Sequence, residues 1–179
     1  MIDGRARVFG DDINTDYIIS SRRKRDSLDP AVLRQFLFED VDPGFAASLE
    51  PGDLIVAGRN FGCGSAMEIA ASVLLGVGMK AVLARSFART YFRNALNNGL
   101  LPVICDTSEI HEGDRIAVEY PAAPIAELPT RCEIAVRNQT TGEVIPAEPL
   151  SKLLVAILQA GGLAPFFKQH GGFGLVPNL

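Results

Sequence analysis

Three short apolar runs, at residues 54–57, 81–84 and 100–104, alternate with two segments of helical spacing. Runs this short, without polar alternation, read as strands buried on both faces. Consecutive strands joined by helices cross over and lie parallel. The pattern therefore predicts βαβ units, with helices over about 67–75 and over 86–97. Ser86 reads as a cap of the second helix, which offers Phe87, Tyr91, Ala95 and Leu96 to one buried face.

The flanking sequence extends this α/β core. Residues 6–9 read as a strand entering an Asx-rich turn, Asp11-Asp12-Ile13-Asn14-Thr15-Asp16, followed by the apolar run Tyr17-Ile18-Ile19. Residues 30–38 carry Val32, Leu33, Phe36 and Leu37 at helical spacing, with Asp29 as cap and Pro30 at the first helical position. After Gly113 the character changes, and 115–119, 132–137 and 143–146 read as antiparallel strands joined by proline-rich connections. A helix over 151–159 is halted by Gly161-Gly162 and continues briefly over 163–168. Residues 1–170 are expected to form one domain and 171–179 a flexible tail.

A chain of 179 residues that is 47% hydrophobic can bury a full core. A net charge of −4 and a pI near 5.2 argue against nucleic acid as a partner, which would need a broad basic surface. No apolar run approaches the roughly 20 residues that span a bilayer, and the first residues lack a signal-peptide order, so a cytoplasmic location is expected, without membrane association. Cys63, Cys105 and Cys132 are widely separated, and His111 and His170 are isolated. No metal or iron–sulfur site is expected on this chain.

Chemistry concentrates at Asn60-Phe61-Gly62-Cys63-Gly64-Ser65, a strand–turn–helix junction. Gly62 and Gly64 leave no side chain between backbone and ligand, and a helix start beside Ser65 would favour a carboxylate or phosphate. Ser65 alternatively only caps the helix, with Glu68 completing a capping box. Cys63 at the same helix start is a second candidate, a thiol made reactive by the dipole. The turn matches neither GxGxxG nor a P-loop. The compact basic loop Ser20-Ser21-Arg22-Arg23-Lys24-Arg25-Asp26 is either solvated surface or a ligand contact.

Four stretches, Asn14-Thr15-Asp16-Tyr17-Ile18-Ile19, Val56 through Ser65, Ser86-Phe87-Ala88-Arg89 and Phe92 through Pro102, stand in an order that resembles the small-subunit family of 3-isopropylmalate dehydratase. This is the detached swivelling domain of the aconitase superfamily, and the resemblance runs nearly to the end of the chain, through Ile157 to Leu163. It implies a β/β/α swivelling fold and a separate large subunit that holds a [4Fe-4S] cluster, whose iron acts as Lewis acid on the departing hydroxyl. It also implies Ser65 as the base that removes a proton next to a carboxylate, with Asp16 at the site, and Gly62, Cys63, Gly64, Ala66 and Met67 around a small di- or tricarboxylic acid.

The chain departs from the family in two places. Where the family reads Ser-Arg-Glu after the serine, this chain has Ala66-Met67-Glu68, and methionine supplies no bidentate carboxylate clamp. Where isopropylmalate enzymes hold a Tyr-Leu pair after the Thr-Asp motif, it has the basic loop. One of Arg22, Arg23 or Arg25 is expected to take over carboxylate binding, while Met67 opens an apolar patch for a substrate alkyl group. The implied activity is a hydro-lyase that works only with its large subunit, isomerising isopropylmalate in leucine biosynthesis. Alternatives are a related hydro-lyase for another substituted malate or citrate-like acid, a non-catalytic homologue that binds a small acid, and a lone thiol enzyme built on Cys63. The isolated chain is expected to be inactive and able to self-associate through the face meant for the large subunit.

Overall fold

The computed structural model describes residues 1–172; most of the expected tail, from 173 on, lies outside them. In chain order the elements are β1 (Ile2–Val8), α1 (Thr15–Ile18), α2 (Ser21–Asp26), α3 (Pro30–Leu33), α4 (Phe45–Ser48), β2 (Leu54–Ala57), α5 (Ile69–Gly76), β3 (Ala81–Ala84), α6 (Arg89–Asn98) and β4 (Leu101–Ile104). They continue as β5 (Arg115–Glu119), β6 (Arg131–Cys132), β7 (Ala135–Asn138), β8 (Val144–Pro146), β9 (Leu150–Ser151), α7 (Lys152–Gln159) and α8 (Leu163–His170).

One seven-stranded sheet has the order β4-β3-β2-β1-β5-β7-β8, and β6 pairs with β9 in a small second sheet. Strands β1 to β4 are parallel, while β5, β7 and β8 pair antiparallel. The two arms meet at β1, which pairs with β2 on one side and β5 on the other. Alternate residues of β2 fall into different cores: Leu54 and Val56 join β5, β7 and α7, whereas Ile55 and Ala57 join α1, α3 and α5. Burial on both faces explains why the parallel strands are unbroken apolar runs.

Several local expectations are corrected. The run at 132–137 is split into β6 and β7, yet exposed and buried residues alternate from Arg131 to Asn138, so the pleat continues while the pairing partner changes from β9 to β5. Asp29 does cap α3, accepting from the Ala31 N–H at 2.9 Å, but the chain tightens into a 3-10 turn at Arg34–Phe36. That shift of phase leaves Val32 exposed and Leu33 and Leu37 buried. The brief continuation after Gly162 is a separate helix, α8, stopped by Gly171 in a left-handed conformation. The basic loop is itself helical, as α2, with the Ser20 hydroxyl accepting from the Arg22 N–H.

Candidate functional site

In a parallel sheet the connections leaving the carboxyl ends of the strands gather at one edge, the usual place for ligands in α/β folds. Here the chain after β1, the chain after β2 and the chain after β3 are tied together at that edge. The Gly62 N–H donates to the Ile13 carbonyl at 2.7 Å, and the Thr15 N–H to the Cys63 carbonyl at 2.8 Å. On the other side the Phe61 N–H donates to the Ser86 carbonyl, and the Ala88 N–H to the Phe61 carbonyl. Asp12 accepts from the Asn60 amide side chain at 2.8 Å, and the Ser86 hydroxyl accepts from the Asn60 N–H at 2.8 Å. The glycine turn is thus stitched to both neighbouring loops.

Both glycines of that turn are required by space. Gly62 has φ +76, and a Cβ there would fall 2.2 Å from the Tyr91 ring; at Gly64, φ +92, it would fall 2.3 Å from the Asn14 side chain. Beneath the turn, Tyr91 packs edge-on against Phe61, ring centroids 5.1 Å apart. Its hydroxyl is buried and bonds to no described protein group.

Ser65 is exposed at the tip of the turn, and its hydroxyl makes no hydrogen bond to the described protein. Helix α5 begins only at Ile69, and its cap position is Glu68, with no side-chain cap bond. The expected capping box is therefore absent, and Ser65 precedes the helix rather than starting it. The Ser65 carbonyl accepts from the Thr15 hydroxyl at 2.9 Å and from the Met67 N–H at 2.8 Å. Gly64, Ser65 and Ala66 are exposed residues, and their N–H groups carry no hydrogen bond to the described protein. An anion at this turn would meet these turn amides rather than the helix start expected from sequence.

Asp16 does not bond to Ser65. Its carboxylate accepts from the Ser21 N–H at 3.0 Å and from the Ser21 hydroxyl, linking the Thr-Asp motif to α2. Of the basic residues on α2, Arg22 pairs with Asp40 at 3.2 Å, and Arg23 forms two 2.8 Å bonds to Glu39 while lying over the Phe36 ring. The Arg23 hydrogen bonds hold the Glu39 carboxyl below its ordinary value. Arg25 is exposed and forms no ion pair among the described residues. Lys24, not singled out in the sequence, reaches the turn: its Nζ contacts Met67 Sδ at 2.6 Å. Met67 is only 5% exposed and packs into the core, so the expected apolar patch is not open at this surface.

Cys63 is half-buried, and its thiol is pushed up by burial and by the nearby Asp12 charge, against the expected activation by a helix dipole. Cys105 and Cys132 are buried and free, and among the described residues no group of three His, Cys, Asp or Glu side chains could hold a metal ion. This donor set does not fit an iron–sulfur cluster. A cleft of about 590 Å³ lies at the ends of β2 to β4, lined by Arg59, Arg85, Asp106 and Glu148 among others, and does not include Ser65. No helix among the described residues is long and apolar enough to cross a membrane.

Residues 42–108, which include the whole turn, match the aconitase C-terminal domain family. Beyond that segment, the chain is 42% identical to the 3-isopropylmalate dehydratase small subunit 1 of Archaeoglobus fulgidus, over 93% of this chain and 96% of that one. The chain belongs to the 3-isopropylmalate dehydratase small-subunit family. It is 40% identical to a methanogen homoaconitase small subunit of Methanocaldococcus jannaschii, over 95% of this chain and 93% of the other. A crystal structure of 3-isopropylmalate dehydratase from the same organism superposes with a TM-score of 0.83 at 38% identity, covering 95% of each chain. Family membership accounts for the β/β/α swivelling architecture anticipated from the motifs. Family motifs drew attention to Asp16, whereas the group that touches the Ser65 turn is its neighbour Thr15.

Proposed function

We propose that this chain is the small subunit of a 3-isopropylmalate dehydratase, a cytoplasmic hydro-lyase of leucine biosynthesis that works only when a large subunit covers the Ser65 edge. The observation that carries this reading is an exposed serine hydroxyl without a partner among the described residues, on a turn bonded to both neighbouring loops and beside three backbone N–H groups that bond to none of the described residues. The family relatives supply the substrate class, a substituted malate. The described residues offer no ligand set for an iron–sulfur cluster, and the reading assigns the cluster that the family resemblance implies to the large subunit.

In the proposed reaction Ser65 Oγ takes the proton from the carbon next to a carboxylate. The electron pair forms the double bond as the hydroxyl on the adjacent carbon leaves, and readdition of water in the opposite sense completes the isomerisation. A serine base needs donors already in place, because its ionised form is costly in water. The amides of Gly64, Ser65 and Ala66 are such donors, and the Thr15 hydroxyl fixes the peptide that carries Ser65. The exposed turn leaves exclusion of water to the partner.

A second reading is a hydro-lyase for another hydroxy acid. It is favoured by the near-equal identity to relatives named for different acids, among them the homoaconitase small subunit, and by the Met67 departure. Co-expression with an aconitase-like large subunit, anaerobic cluster reconstitution and alkene absorbance over substituted malates, citrate and homocitrate test both. Turnover of isopropylmalate that falls about 10²- to 10⁴-fold in Ser65→Ala supports the first reading. Turnover confined to another acid selects the second; a complex without turnover, or full activity in Ser65→Ala, overturns the assignment of the base.

A further inference from the structure

We propose that the groove lined by Phe87, Phe92 and Ile104 is a docking site for the large subunit, and that it receives an acidic segment carrying one apolar anchor side chain. The proposal rests on the small-subunit reading above and adds the place and the chemistry of the contact. Arg89 and Arg93 complete the lining of the groove, a cavity of about 320 Å³. Ile104 also lines the larger cleft that holds Arg59 and Arg85, so the two cavities adjoin.

For a chain of net charge −4 this region is strongly basic. Arg59, Arg89 and Arg93 are exposed and form no ion pair among the described residues, whereas Arg85 pairs with Asp106 at 3.5 Å. Arg89 lies in the first turn of α6, at the positive end of the helix dipole, and Arg93 one turn on repels it. That first turn holds no acidic residue, and the cap position, Ala88, makes no side-chain bond. Carboxylates brought by a partner offset both unfavourable terms. The apolar part is equally open. Phe87 and Phe92 meet edge to face, ring centroids 5.9 Å apart, and both remain partly exposed. Aromatic rings and arginines around a pocket are the composition of interface hot spots.

Position selects the large subunit as the occupant. Phe87 bridges to Phe61 of the glycine turn, and the Ala88 N–H donates to the Phe61 carbonyl. The chain from Phe61 to Ser65 spans at most about 14 Å even if fully extended. A protein that covers the Ser65 edge, as the proposed reaction requires, therefore reaches the groove as well. Unpaired arginines beside that edge also speed the encounter with an acidic surface, in a salt-dependent way.

The test uses the full chain and its large subunit, with binding measured at low and at physiological salt. Arg89→Glu combined with Arg93→Glu should raise Kd about 30-fold or more and flatten its salt dependence. Arg131→Glu combined with Arg137→Glu, at exposed positions of β6 and β7, changes the net charge equally and should leave Kd unchanged. Equal losses in the two pairs, or no loss in the first, overturn the proposal. At large-subunit concentrations that saturate the first pair, kcat should return to the wild-type value. A kcat that stays low overturns the proposal, because these arginines then belong to the reacting site. Benzoylphenylalanine in place of Phe92, irradiated in the complex, should couple to a large-subunit segment in which acidic residues flank an apolar one. Coupling to a second copy of this chain, to a segment without acids, or to nothing overturns the assignment. A complex that couples at position 92 but turns over no hydroxy acid refutes the functional reading and upholds the docking site. A wild-type chain that binds no large subunit overturns both.

Discussion

Replacing Tyr91 by phenylalanine should make this protein more stable. The ring lies beneath Gly62 and against Phe61, in a core that retains its shape when one oxygen is removed. Its hydroxyl is buried and finds no partner among the described residues, and burial raises its pKa. A buried hydroxyl without a hydrogen bond costs about 1–3 kcal/mol, because water bonded it in the unfolded chain. Tyr91→Phe removes that cost and gives up only the dispersion contacts of one atom, each about 0.1–0.2 kcal/mol. The net expectation is a gain of about 1–2 kcal/mol, or roughly 2–8 °C in Tm for a chain of this size. Calorimetry and urea titration of the isolated chain would measure it, with an unchanged m-value showing that the denatured state is unaltered. A loss of stability would refute the reasoning, since it would mean that the hydroxyl is bonded in the native protein. The variant also probes the floor of the site: Ser65-dependent turnover in the complex should survive it.

Ser65→Ala, for all its expected effect on turnover, should leave stability within about 0.5 kcal/mol, because the residue is exposed and its hydroxyl bonds to none of the described residues; thermal melts of the isolated chain check this. Cys63 should alkylate slowly at neutral pH, because burial and then the Asp12 charge raise its pKa; Asp12→Asn should speed the reaction with iodoacetamide, as followed by mass spectrometry. Asp53 is buried, and although burial opposes its charge, hydrogen bonds from Arg5, the Glu50 N–H and Arg7 hold its carboxyl below the ordinary value. A depressed folded-state pKa gives stability that is present above the unfolded value of about 3.9 and lost as pH falls through the folded one. Asp53→Asn should cost about 3 kcal/mol at pH 7 and flatten the acid limb of stability against pH, as read by urea titrations from pH 7 to pH 2.

The parallel strands were legible because nothing but apolar side chains suits a strand buried on both faces: β2 and β3 have the bounds their sequences suggest. Helix starts were not. Ser65-Ala66-Met67-Glu68 has the composition of a capping box, yet the serine hydroxyl is unbonded and α5 begins at Ile69. Ser86 has the composition of a cap, but its hydroxyl is used by Asn60, 26 residues away, and Ala88 holds the cap position. A local signal loses when a distant backbone group competes for the same oxygen. The site was half legible for the same reason. The glycines announce a close approach, and the family motifs point to Ser65, but the turn of Lys24 onto Met67 spans 43 residues. Once α2 forms, spacing along it decides which of four adjacent cations faces inward, and a string of like charges carries no mark of which one that is.

The seams that join the glycine turn to the loops after β1 and β3 also decide how substrate gets in. Displacing the turn as a unit means breaking the bonds that Phe61, Gly62, Cys63 and Ser65 make to Ser86, Ile13 and Thr15 and dragging the ends of three strands. On the proposed reading, a catalytic edge tied to its neighbours in this way would not open by a local door. Under the proposed function, substrate would then be admitted by displacement of the whole subunit relative to its large-subunit partner, which would place the gate in the joint between two proteins and make the tightness of that joint a setting for turnover.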